Sequence, residues 1–157
     1  MNFVSVSLVA AAIGFSSTTV AQPAEKGQAL CYQIEKIVNA LVDYTQTACV
    51  PSAGKSPGAF TFILISSKPV FASEASKKAW VLVAVAASGD ALNKNASVKA
   101  EELWLSDANE MKSRTAYVMP AALAKSLQRR IKADQITLDT MYSEVSKNLS
   151  QRNIPKR

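Results

Sequence analysis

Cys31 and Cys49 are the only cysteines, and they delimit the clearest helical pattern in the chain. Within residues 28–48, apolar side chains recur on one face at about 100° per residue, which predicts an amphipathic helix. Eighteen helical steps span about 27 Å, whereas a disulfide needs two Cα atoms within about 7 Å of each other. An unbroken helix across residues 31–49 and a Cys31–Cys49 bond therefore exclude one another.

The N-terminus indicates the redox compartment in which these cysteines are found. Residues 1–24 carry no charged side chain, and an apolar stretch at residues 3–15 precedes serines, threonines and Val20-Ala21-Gln22. This order is typical of a secretory signal cleaved after Ala21, although only the Met1 amine is positive; the alternative is a buried N-terminal strand or helix. We predict a signal peptide at residues 1–21 and a periplasmic or secreted protein. The apolar stretch is shorter than the roughly 20 residues of a membrane-spanning helix, so no transmembrane segment is expected in the mature chain.

Export makes an intramolecular disulfide between Cys31 and Cys49 our prediction, because free thiols are uncommon in exported proteins. It requires the helix to shorten to about residues 33–44, with residues 45–49 doubling back over at most about 17 Å. The alternatives are an intermolecular bond or two buried thiols. A redox pair is not expected, because the close Cys-x-x-Cys spacing is absent.

The remaining pattern predicts one α+β domain at residues 22–150, followed by a flexible basic tail at residues 151–157. Strands are expected at residues 60–65, 80–85, 98–105 and, as an optional fourth, 112–119, with turns at residues 88–90 and 106–109. Pro120 and Thr137 mark the starts of two last helices. The connections look too short for helical crossovers. We therefore expect an N-terminal amphipathic helix, a three- or four-stranded antiparallel meander, and two C-terminal helices packed on the sheet.

Several catalytic chemistries are excluded by composition. The chain has no histidine, which rules out Ser-His-Asp and Cys-His catalysis and the usual zinc sites. Asp107 and Glu110 are expected to cap or flank a turn rather than bind a hard cation. Adjacent Lys-Ser pairs at residues 112–113 and 125–126 leave a metal-independent Ser/Lys hydrolase as the least favoured function. We predict a non-enzymatic protein with no catalytic, metal or cofactor site.

The positive charge is concentrated in the last third of the chain. Residues 112–157 hold 10 basic and 3 acidic side chains, whereas residues 22–111 hold 8 basic and 9 acidic ones. On the helix after Pro120, a candidate basic patch of Lys125, Arg129 and Lys132 lies opposite the apolar residues. This patch indicates an acidic partner, although a solvated helix face is the plain alternative. Export and the few exposed-looking aromatic residues argue against nucleic acid.

Our leading hypothesis is therefore an exported interaction module that binds a protein or an anionic envelope component through a sheet edge or the basic C-terminal helices. The second hypothesis is a carrier of a small apolar ligand held between the sheet and the helices. The side chains that would line such a ligand site are Phe60, Phe62, Trp80 and Trp104. For the two tryptophans, packing in the core or across strands is the plain alternative.

Overall fold

The computed structural model describes residues 23–42, 45–52 and 56–154. The predicted signal peptide at residues 1–21 and the last three residues lie outside this described part. A short 3-10 turn, Val70–Ala72, precedes the second helix. The other elements in chain order are α1 (Pro23–Leu41), β1 (Thr45–Pro51), β2 (Phe60–Ser66), α2 (Glu74–Lys94), β3 (Ala100–Asp107), α3 (Ala108–Ser113), β4 (Thr115–Pro120), α4 (Ala121–Lys132), α5 (Leu138–Asn148) and β5 (Ser150–Asn153).

The first helix ends early and the chain doubles back, as the intramolecular disulfide requires. The predicted helix over residues 28–48 begins earlier and stops at Leu41, and β1 then returns beside α1. This return brings Cys31 and Cys49 into a disulfide with Cα atoms 5.9 Å apart. The intramolecular bond is thus confirmed, and residues 45–48, expected to be helical under the unbroken pattern, belong to a strand. Leu30, Ile34 and Val38 form the buried stripe of α1.

The predicted strand at residues 80–85 is wrong, because these residues lie in the middle of α2. So do residues 88–90, which are not a turn. A short apolar run cannot by itself distinguish a buried strand from a buried helix. Here α2 lies against α1, α4 and α5, so it is apolar on several sides and shows no clean helical stripe. Trp80 is buried and donates from Nε1 to Thr45 Oγ1 over 3.0 Å, which joins α2 to β1.

The sheet is mixed rather than an antiparallel meander. Its spatial order is β1-β2-β3-β4-β5, and β2 and β3 are parallel neighbours while the other pairs are antiparallel. The parallel pair is connected by α2, the type of crossover that parallel strands need. The α+β class is confirmed, but the meander is wrong because residues 80–85 form the crossover helix instead of a strand.

The helices cover one face of the sheet. Alternate residues of β2 and β3 point into the helical layer, where Phe62, Leu64, Leu103 and Leu105 are fully buried. Their neighbours, including Ile63 and Trp104, point to the other face and are partly exposed. We call this second side the helix-free face.

The chain after β3 makes one short helix before β4. Asp107 ends β3 and caps α3, because its buried carboxylate accepts hydrogen bonds from the backbone N–H groups of Asn109 and Glu110 at 2.9 Å. Its other oxygen accepts from the N–H of Phe71, also at 2.9 Å. The expected turn at residues 106–109 is therefore a strand end and a helix start, and β4 begins at Thr115 rather than near residue 112.

The C-terminal helices begin close to the predicted positions. Pro120 is the N-cap residue of α4, and Thr137 caps α5 by accepting from the N–H of Thr140. Residues 151–153 differ from the expected flexible tail: with Ser150 they form β5, which pairs with β4. Among the described residues, no helix is long and apolar enough to span a membrane.

Candidate functional site

The two edges of the sheet have different surroundings, and a helix covers the β1 edge. The backbone N–H of Thr45 donates to Asn39 Oδ1 over 2.7 Å, and that of Thr47 donates to Glu35 Oε2 over 2.6 Å. The side-chain amide of Asn39 also donates to the Thr45 carbonyl oxygen. Asn39 and Glu35 are one turn apart on α1. The outward backbone groups of this part of β1 are therefore already bound by α1.

The opposite edge, β5, is exposed along its whole length. Its ladder with β4 extends to Ile154, whose N–H donates to the Arg114 carbonyl oxygen over 2.7 Å. In an antiparallel pair, only alternate residues of a strand exchange backbone hydrogen bonds with the neighbouring strand. Because Ile154 bonds to β4, the residues that bond to β4 are the even-numbered ones. The N–H and C=O groups of Gln151 and Asn153 therefore point away from β4. In the described part of the chain, these outward groups have no hydrogen-bond partner. We call them the open edge.

The sequence prediction missed the open edge because the strand that forms it has no sequence signature. Ser150-Gln151-Arg152-Asn153 contains neither a β-branched nor an aromatic residue, and it reads as the start of a polar tail. Only the pairing with β4 makes it a strand. No alternation of apolar residues was present from which it could have been found.

Three exposed basic residues lie in the chain within three residues of the start of β4 or β5. Lys147 lies in the last turn of α5, three residues before β5 begins, while Arg114 lies opposite Ile154 at the other end. Lys112 lies in the last turn of α3, two residues before Arg114. No ion pair between described residues includes any of these three side chains. We call Lys112, Arg114 and Lys147 the basic rim; none of them forms an ion pair with a described residue, although the charge of Lys147 contributes, after Arg130, to lowering the pKa of the Glu144 carboxyl group.

Arg152 of β5 is held across the helix-free face. Its Nη1 donates to Glu102 Oε1 over 2.8 Å, and the other oxygen of that carboxylate accepts from Trp104 Nε1 at 2.8 Å. Glu102 and Trp104 are two residues apart on β3, so they share this face. The carboxylate thus fixes both the indole ring and the guanidinium group, and Arg152 is held in an ion pair.

A groove of about 930 Å³ runs across the helix-free face. Ile63, Trp104 and Val118 are direct cross-strand neighbours in successive strands and form its apolar floor. Ser150 and Arg152 line it on the β5 side. The groove and the open edge are therefore continuous at β5.

Of the four predicted ligand-lining aromatic residues, Trp104 alone lines this groove. Phe60, Phe62 and Trp80 are buried in the core between the sheet and the helices. The four side chains therefore lie on opposite faces of the sheet and do not form one site. Trp80 and Trp104, expected on neighbouring strands, are separated by the sheet itself.

One of the three residues in the candidate basic patch on α4 is already paired with an acidic residue of α2. Lys132 and Lys94 both form ion pairs with Asp90 of α2, and these hydrogen bonds lower the pKa of the Asp90 carboxyl group. Lys125 and Arg129 form no ion pair with a described residue. The patch is therefore a helix surface in which one of the three cations, Lys132, is already paired with a carboxylate.

The acidic and Lys-Ser pairs do not form a recognisable catalytic arrangement in the described residues. Asp107 is occupied by three backbone N–H groups, as expected for a cap, while the carboxylate of Glu110 accepts from the Thr115 hydroxyl. Lys125 and Ser126 are successive residues of α4, whose side chains diverge by about 100°. No group of three or more potential metal ligands lies together in the described residues.

Comparison of the chain with protein-family models, with curated proteins and with solved structures yields no match in any of the three.

Proposed function

We propose that this protein is an exported, non-enzymatic interaction module that binds an extended segment of a partner protein at the open edge. The observation that carries this proposal is the difference between the two edges of the sheet. α1 side chains bind the backbone N–H and C=O of Thr45 and the N–H of Thr47 on β1, whereas Gln151 and Asn153 present their outward groups to solvent. An exposed sheet edge binds an extended peptide by adding it as a further strand.

The surroundings of the open edge support binding rather than mere exposure. Natural proteins protect an edge strand by covering it, shortening it or placing charges on it. β5 is short, but its one charged side chain, Arg152, is turned onto the helix-free face by Glu102. The Arg152 side chain therefore does not shield the outward backbone groups of β5, and a partner strand can approach them.

The test is a proline substitution that removes an outward donor and leaves the ladder intact. Gln151→Pro deletes an N–H that points away from β4, and proline is tolerated at such edge positions. Wild-type, Gln151→Pro and Gln151→Ala proteins are used as baits in an envelope extract. We expect the same bound protein with wild type and Gln151→Ala, and its loss with Gln151→Pro, because only proline blocks strand addition.

An unchanged melting temperature and circular dichroism spectrum of Gln151→Pro serve as the folding control. Equal capture by all three baits would contradict binding at the open edge and would direct attention to the helices or the groove.

Export is tested separately by the N-terminus of the secreted chain. The leader pattern predicts cleavage after Ala21, so mass spectrometry of the exported protein is expected to identify Gln22 as its first residue. The disulfide is compatible with an oxidising compartment. Recovery of the chain with Met1 intact would count against the signal peptide.

A further inference from the structure

We infer that the partner segment that pairs with the open edge is acidic, an inference that rests on the proposed function and names the chemistry of its ligand. The basic rim is the ground for it. Lys147 is close in the chain to the first residue of β5, and Arg114 is the backbone partner of Ile154 at the other end. A strand added beside β5 therefore has, near each of its ends, a cation that forms no ion pair with a described residue.

The length of β5 limits the segment that these cations can contact. Four strand residues extend over about 13 Å, so a segment of similar length reaches from the Lys147 end to the Arg114 end. Exposed carboxylates at its two ends would meet positive charge, whereas lysine or arginine there would meet like charge. Such rim charges chiefly govern partner choice and the rate of association.

The backbone of the open edge favours a polypeptide over other anionic ligands. Gln151 and Asn153 each present one N–H and one C=O, two residues apart, which is the repeat at which a second strand presents its own groups. An anionic lipid or a glycan can satisfy the cations without needing both backbone groups. The combination of a cationic rim with this backbone repeat thus indicates an acidic extended peptide.

Binding of three labelled peptides to the mature protein, followed by fluorescence anisotropy, tests the inference. The peptides are identical in length and alternate valine with glutamate, glutamine or lysine. We expect the glutamate peptide to bind at least about tenfold more tightly than the glutamine peptide, and the lysine peptide to bind weakest. Raising the salt from about 0.05 M to about 0.5 M should remove most of this preference, because exposed charges are screened.

Charge reversal identifies the cations responsible. Arg114→Glu with Lys147→Glu should weaken binding of the glutamate peptide about tenfold or more, through lost attraction and added repulsion. Lys125→Glu with Arg129→Glu makes the same change in net charge on α4 and is the matched control. Equal weakening by both pairs would overturn the assignment to the basic rim.

The outcomes separate this inference from the proposed function. If the glutamate and glutamine peptides bind equally and Gln151→Pro abolishes both, the open edge is the binding site and the acidic preference is overturned. If Gln151→Pro leaves binding of the glutamate peptide unchanged, the proposal of strand addition is itself contradicted.

A last experiment measures binding of the protein to vesicles containing phosphatidylglycerol. Vesicle binding that is insensitive to Gln151→Pro, with no binding of the glutamate peptide, would assign the rim to an anionic membrane and overturn the inference.

Discussion

Replacing both cysteines by alanine is expected to lower the free energy of unfolding by about 3 kcal/mol. The Cys31–Cys49 bond closes a loop of 18 residues, and a cross-link of that span removes about this much conformational entropy from the unfolded chain. The loss is a large share of the 5–15 kcal/mol that stabilises a typical domain. Urea denaturation followed by circular dichroism measures it.

Loss of the bond should loosen the contact between α1 and β1 in addition to lowering the stability of the whole domain. It joins α1 to β1, the strand whose outward groups α1 covers. Reduced wild-type protein is the matched control, because it loses the bond without losing either sulfur. Equal stability of the oxidised, reduced and double-alanine proteins would show that α1 is held by its buried apolar face alone. Intact mass analysis should find the oxidised monomer two hydrogens lighter than the reduced one.

Gly89→Ala is expected to destabilise the protein by about 2 kcal/mol, although alanine is the better helix former by about 1 kcal/mol. Gly89 lies inside α2 where α4 crosses it. A methyl group there would lie 2.7 Å from the Cβ of Gln128 and closer still to the carbonyl oxygen of Ala124. Because one of these contacts is backbone, no rotation of a side chain relieves it, and the two helices must separate.

The sign of the effect is the informative part of this experiment. Ala79→Gly changes an exposed position of the same helix and should cost about 1 kcal/mol from helix propensity alone. Destabilisation by glycine at residue 79 and by alanine at residue 89 would locate the close contact at Gly89. A more stable Gly89→Ala protein would contradict the tight crossing of α2 and α4.

The early end of the first helix and the chain reversal after it were accessible from the sequence because distance alone constrained them, whereas the strand β1 that follows the reversal was not predicted. The Cys31–Cys49 spacing forbids a straight helix, and only a chain reversal before Cys49 allows the bond. The crossover helix was not accessible in the same way. α2 contacts other helices on several sides, so residues 80–85 carry the continuous apolar run that a buried strand also shows. Contacts of α2 with the other helices, which a local sequence pattern does not reveal, make residues 80–85 a helix rather than a strand.

The open edge could not have been predicted from local pattern. β5 owes its strand conformation to β4, with which it pairs through backbone groups that every sequence possesses. The basic excess after residue 112 was visible in the sequence. Which cations remain unneutralised depends on contacts distant in sequence, such as that between Lys132 and Asp90.

The cover that α1 provides over β1 limits how copies of this protein can assemble. A filament built from sheets needs two complementary edges on every subunit, so that each addition creates a site for the next. In a subunit whose β1 edge is covered by α1 at Thr45 and Thr47, β5 is the more open edge, and two copies that pair through β5 use up that edge in both subunits. A chain in which α1 has come away presents two edges, and pairing then has no end point. The disulfide joins α1 to β1 and so helps to keep this edge covered.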